Sequence, residues 1–378
     1  MRFISTTFLG TSLLTLLGGV IGSSSAYGGE LKPISTIACH KNTPKFFRFG
    51  PEDKKTLITA ETDSICIWNI EKGGVPLAKL SDRRISDIKS LSCSSDGNKI
   101  AALYQKGVVG IWDVSNPQSP TVKLLDKVGE VRSVAFRPKS GLLGLYIWTK
   151  GLMIYDTDSN QFWNKPGLGD GAQGVPKEWD LQPQSLLDSY RLDVLGLEFS
   201  HDGNWAQQGY SFIHNSFNDS EFSTYMSMHQ IHEGRKPALT EYYKLEDFHK
   251  VSQVRAAGFC RGSEFVVLKG NMEMIRYKLS KRGTLIEEES IKAPLLKEGE
   301  SLPATKVCQD GSIVVILKNA KGLLICERWG ADGTVATSSD PIDPDLNNPQ
   351  IVIHASGKSF AINKRNGQID IFKVPDAQ

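Results

Sequence analysis

From Phe46 onward, short apolar runs alternate with turns carrying Gly, Asp or Asn, and one phrase returns seven times. In "SLSCSSDGNKIAALYQKGVVGIWDV", from Ser90, an apolar strand meets Asp96-Gly97, a second strand meets Lys106-Gly107, and a third alternates as far as Trp112-Asp113. The phrase also begins at Phe46, Ser133, Gly196, Ala256, Ala304 and Gln350, so successive starts lie 44, 43, 63, 60, 48 and 46 residues apart. Runs of this length bounded by turn residues read as strands. More polar segments between the phrases, such as "PLAKLSD" from Pro76 and "TLIEEESI" from Thr284, supply a fourth strand per unit. The alternation in "SICIWNI", "GLMIYDT" and "QIDIFKV" puts Ile67, Ile154 and Ile371 on one face and their neighbours on the other, as a strand packed between two sheets requires.

Four antiparallel strands repeated at a period in the mid-forties make a propeller blade. The seventh phrase ends almost at the C-terminus and supplies only three strands, while "KPISTIACH", from Lys32, belongs to no complete unit. Pairing that segment with Gln368 to Val374 would close the ring and remove its exposed edges. The expected fold is therefore all-β: a seven-bladed β-propeller of four-stranded antiparallel blades, closed by an N-terminal strand that joins the C-terminal blade.

The chain resembles the WD-repeat β-propeller family, over nearly all of residues 27–378. The likeness is carried by "TAETDSICIWNI" and "GVVGIWDV", where Asp63 precedes a third strand and Trp68-Asn69 or Trp112-Asp113 end one; Cys39-His40 stands where the family often has Gly-His. Other repeats carry Tyr155, Tyr277 or Phe372 in place of the Trp.

Residues 1–26 are a separate object. Arg2 gives a positive start, Phe8 to Ile21 is apolar, and Ser24-Ser25-Ala26 offers small residues for cleavage, the pattern of a secretory signal peptide. A membrane helix would need roughly 20 strongly apolar residues, and this stretch is shorter and diluted by Thr and Gly. No Cys precedes Cys39, which argues against a lipid anchor at the cleavage site. The mature chain, 27–378, is thus expected to be a single exported domain, periplasmic or secreted, with no membrane span after signal removal. Dropping Arg2 from the 44 basic side chains leaves 43 against 42 acidic ones, with no long block of either sign, so it lacks the basic face that nucleic acid binding wants.

Strand parity divides the loops between two faces. Connections of first to second strand, such as "SSDGN", "SHDGN" and "QDGS", are short. Both large insertions, 164–193 and 213–222, fall on the other face, around blades 3 and 4. Loops of this length are uncommon unless functional or disordered. Trp163, Trp179, Tyr190, Phe217 and Phe222 are their aromatic candidates for partner contact; the competing reading is that they pack the loops onto the ring.

No catalytic, cofactor or metal set emerges. "YMSMHQIHEG" gathers His229 and His232, but three residues apart on a strand they point to opposite faces. Cys93, Cys260 and Cys308 recur at one place in three repeats, which reads as small apolar filling rather than a disulfide framework. The expected function is an exported non-catalytic scaffold that recognises a protein or peptide, with no cofactor, through the loop-rich face around blades 3 and 4. The alternatives are a propeller enzyme of hydrolase or lactonase type with a site at the channel mouth, and a carbohydrate-binding propeller.

Overall fold

Six of the seven repeats each form one four-stranded antiparallel sheet, and the seventh supplies three strands of a sheet completed from the N-terminal side. The computed structural model describes residues 31–38, 44–84, 86–147, 150–163, 193–216, 219–233, 238–249, 254–260, 264–282, 284–346 and 348–376, with the backbone alone over 193–195, 209–216, 219–225 and 238–249. The expected signal peptide lies outside these residues. Blade 1 runs Phe46–Phe49, Thr56–Ala60, Ser64–Asn69 and Ala78–Ser81. Blade 4 runs Asp193–Phe199, Trp205–Ser216, Asp219–Gln230 and Ala238–His249. Among the described residues no helix is long and apolar enough to cross a membrane.

The alternating third strands bury both faces. In blade 1, Ile65 and Ile67 pack with Leu91, Ile100 and Trp112 of blade 2. Their neighbours Cys66 and Trp68 pack on the other side with Ile369 and Ile371 of blade 7. Ile67, Ile154 and Ile371 are all buried. Seven apolar clusters follow among the described residues, one at each junction between adjacent blades. The core is a ring of interfaces rather than one central mass.

Closure takes the three-plus-one form. Ser35–Ala38 pairs with Gln368–Lys373, from Ser35↔Ile371 to Ala38↔Gln368. The Ile34 N–H donates to Ile371 O at 2.8 Å, and Thr36 Oγ1 donates to Asp370 Oδ1 at 2.7 Å. Hydroxyls stitch the inner strands together: the Phe136 N–H donates to Ser92 Oγ at 2.9 Å, and the Leu197 N–H to Ser133 Oγ at 2.8 Å.

The Asp-Gly turns work as their chemistry dictates. Asp96 Oδ1 accepts from Ser94 Oγ at 2.6 Å and from the Asn98 N–H at 3.0 Å, while Gly97 takes φ +72°. Blade 7 makes the same turn with Gly357, at φ +67°, where a Cβ would stand 2.3 Å from Cys308 Sγ of blade 6. Left-handed backbone and overpacking each cost on the order of 1 kcal/mol. Gly357→Ala is therefore expected to lower unfolding free energy by about 2 kcal/mol in urea titrations, and adding Cys308→Ala to restore about half.

Candidate functional site

The short-turn face and the opposite face differ as the loop lengths predict, but the long feature is built otherwise. In the other six blades the second strand is five or six residues long; in blade 4 it has 12. Segment 213–222, expected as a loop, is largely paired strand: Ile213↔Phe222, His214↔Glu221, Asn215↔Ser220 and Ser216↔Asp219. The outer strand follows it upward, pairing Phe222↔Phe248 and Glu221↔His249. Blade 4 thus carries a three-stranded arm, in which backbone pairing continues past the end of the inner strand. The inner strand stops at Asp193↔Ser211. Ser216 lies five residues farther, roughly 17 Å at strand rise.

The five aromatic candidates are distributed unevenly. Trp163 is half-buried, its N–H donates to Ile154 O at 3.0 Å, and its side chain packs on the cluster between blades 3 and 4 with Leu197, Phe199 and Ile231. Part of its side chain is thus taken up by the ring, and part stays accessible. Phe222 occupies the arm's third strand, in register with Ile213 and Phe248. Trp179, Tyr190 and Phe217 lie outside the described residues, as does 164–192 of the first insertion.

The histidine pair separates, but not by strand alternation: the strand ends at Gln230 and His232 lies beyond it. His229 is buried with Nε2 3.0 Å from Ser227 Oγ, while His232 is exposed. Burial pushes the His229 imidazole down to about 4. No group of three His, Cys, Asp or Glu among the described residues is placed to hold a metal. The described cysteines, Cys66, Cys93, Cys260, Cys308 and Cys326, all carry free thiols; Cys39 is not among them. Burial outweighs the nearby guanidinium groups and pushes Cys93 and Cys260 up to about 12, far from the range of a reactive thiolate.

The blade signatures proved structural. The Trp68 indole N–H donates to Thr59 Oγ1 at 2.8 Å in blade 1, whereas in blade 2 the Trp112 indole donates to Tyr104 Oη at 3.1 Å. Asp63 is exposed beside a turn that closes through the Glu61 N–H to Ser64 O, at 2.9 Å.

Sequence reasoning offered a channel-mouth site only as an alternative and assigned it none of the residues that line the channel. Its chambers, of about 340 and 700 Å³, share Arg48, Ser90 and Lys306. The larger reaches Pro51, Ser95 and Gln309 on the short-turn face; the smaller reaches Val254 and Arg255. Lys306 of blade 6 pairs with Glu198 of blade 4 at 2.6 Å. Gly258 of blade 5 stands between them, where a Cβ would come 3.6 Å from Glu198 Oε2. Burial holds His201, beside this pair, below the ordinary histidine range against the pull of Glu198.

No protein-family model and no curated protein sequence matches the chain. Solved structures share its fold. The β-propeller domain of Myceliophteria thermophila Cps50 (Swd1) is 14% identical with a TM-score of 0.57, over 91% of this chain and 100% of that one. A chain of a mitotic checkpoint complex is 12% identical with a TM-score of 0.59, over 100% of this chain and 99% of that one. At such identities the likeness is one of architecture, and it agrees with the strand order: the chain is a seven-bladed β-propeller of four-stranded antiparallel blades.

Proposed function

We propose that the protein is an exported, non-catalytic scaffold that recognises a protein or peptide through the loop-rich face around blades 3 and 4. The observation that carries this reading is the blade 4 arm, three paired strands raised beyond the inner strand's end. A projection beyond the end of the inner strand is more than a four-stranded blade requires and is suited to contact. Beyond Ser211 no strand among the described residues pairs with the free edge of Trp205–Ser216, and such an edge can accept an extended segment by strand addition. The fold supports the same reading, since one structure it resembles was solved within a complex. Export rests on residues 1–26 and their charged, apolar and small-residue order.

The test is an arm truncation, with 212–223 replaced by Asn-Gly to rejoin the second and third strands in a two-residue turn. The shortened chain is expected to keep its urea midpoint and to lose the protein that co-purifies with the full chain from the exported fraction. Retention of that protein by a folded, truncated chain would contradict the assignment.

A further inference from the structure

The channel holds more positive charge than it neutralises. Its smaller chamber is lined by three cations, Arg48, Arg255 and Lys306, and one carboxylate, Glu198. Glu198 is engaged by Lys306, which leaves both arginines without a carboxylate partner among the described residues. Arg48 Nη1 donates to Leu91 O at 3.0 Å, so the guanidinium is held at the wall while the residue stays exposed to the channel. Arg255 Nε is buried and finds no acceptor among the described residues. A buried donor without an acceptor costs about 1–3 kcal/mol, and more when charged. Any anion in the chamber would be met by the remaining guanidinium nitrogens and by the charge of Arg255, which lines it.

We propose that the channel binds a small dicarboxylate, one carboxylate on Arg48 beside the Ser90 hydroxyl and the other on Arg255. The two uncompensated charges match a dianion, and each guanidinium presents the planar donor pair that a carboxylate accepts. A 340 Å³ chamber falls within the range of small-molecule sites. The site lies inside the ring, its smaller chamber reaching Val254 and Arg255 at the entry to blade 5's inner strand, and it does not rest on the partner-binding reading.

The experiment is a thermal-unfolding titration of the mature chain with sodium succinate, against sodium chloride of equal ionic strength and against acetate. Succinate is expected to raise the midpoint saturably and at lower concentration than acetate. Arg48→Gln and Arg255→Gln should each weaken half-saturation about tenfold, the value of one lost charged hydrogen-bonding partner. Glu198→Gln frees the Lys306 ammonium and should tighten it. Each variant is compared with its own ligand-free midpoint, so a less stable variant still decides, and either arginine variant suffices if the other fails to fold. Absence of saturation in the unmodified chain, acetate matching succinate, or arginine variants responding as the unmodified chain does would overturn the proposal.

Discussion

Replacing Ile37 with Asp is expected to open the ring. Ile37 lies in the only strand that the N-terminal segment gives to blade 7, fully buried with Phe47, Leu57 and Ile371 and directly opposite Ile369. Truncation to Ala should already cost about 3 kcal/mol through lost burial and the cavity left behind. An unpaired carboxylate there costs more, about 5 kcal/mol, against a usual net stability of about 5–15 kcal/mol. The strand holds the ring by four residue pairs, so loosening it exposes the backbone edge of Gln368–Lys373, and such edges associate. The measurement is urea unfolding with light scattering: Ile37→Asp should shift the midpoint far below that of Ile37→Ala and produce soluble oligomers. A midpoint equal to the unmodified chain's would mean that closure does not depend on this strand.

Acidification should weaken the fold through His229. Burial lowers its folded pKa to about 4, against about 6.5 in the unfolded chain. The unfolded state therefore takes up the proton first as pH falls. Stability from this group is intact above about pH 6.5, declines between there and about pH 4, and is lost in full below, a total of about 3 kcal/mol. Burial also lowers His201 and His354, and both add to the slope in the same direction. His229→Gln should flatten the dependence, so the difference in unfolding free energy between the two chains should itself vary with pH by about 3 kcal/mol. A difference constant from pH 7 to 4 would show that His229 is not buried neutral.

What the sequence made legible follows from where packing is two-sided. A third strand held between neighbouring blades must be apolar on both faces, and so "SICIW" or "GLMIY" announces itself. The closing strand was legible by arithmetic, since three strands at one end needed a fourth from the other. The arm was not. Residues such as His214, Asn215, Ser220 and Glu221 carry no apolar alternation, and the pairing there is read from backbone register alone. Nor were the residues that line the channel: Lys306 and Glu198 lie 108 residues apart, and only ring geometry brings them together. Trp163 shows a further limit of pattern, since an aromatic beside an insertion carries the same signal whether it packs inward, as part of Trp163 does, or meets a partner.

The assignment of the binding face can be tested most directly by placing a photoreactive phenylalanine analogue at Phe222, on the arm, or at Lys139, on the short-turn face, in the full chain in its native compartment. A discrete adduct on irradiation at 222 and none at 139 is the predicted result. An adduct at 139 with none at 222 would contradict the account and move recognition to the opposite face.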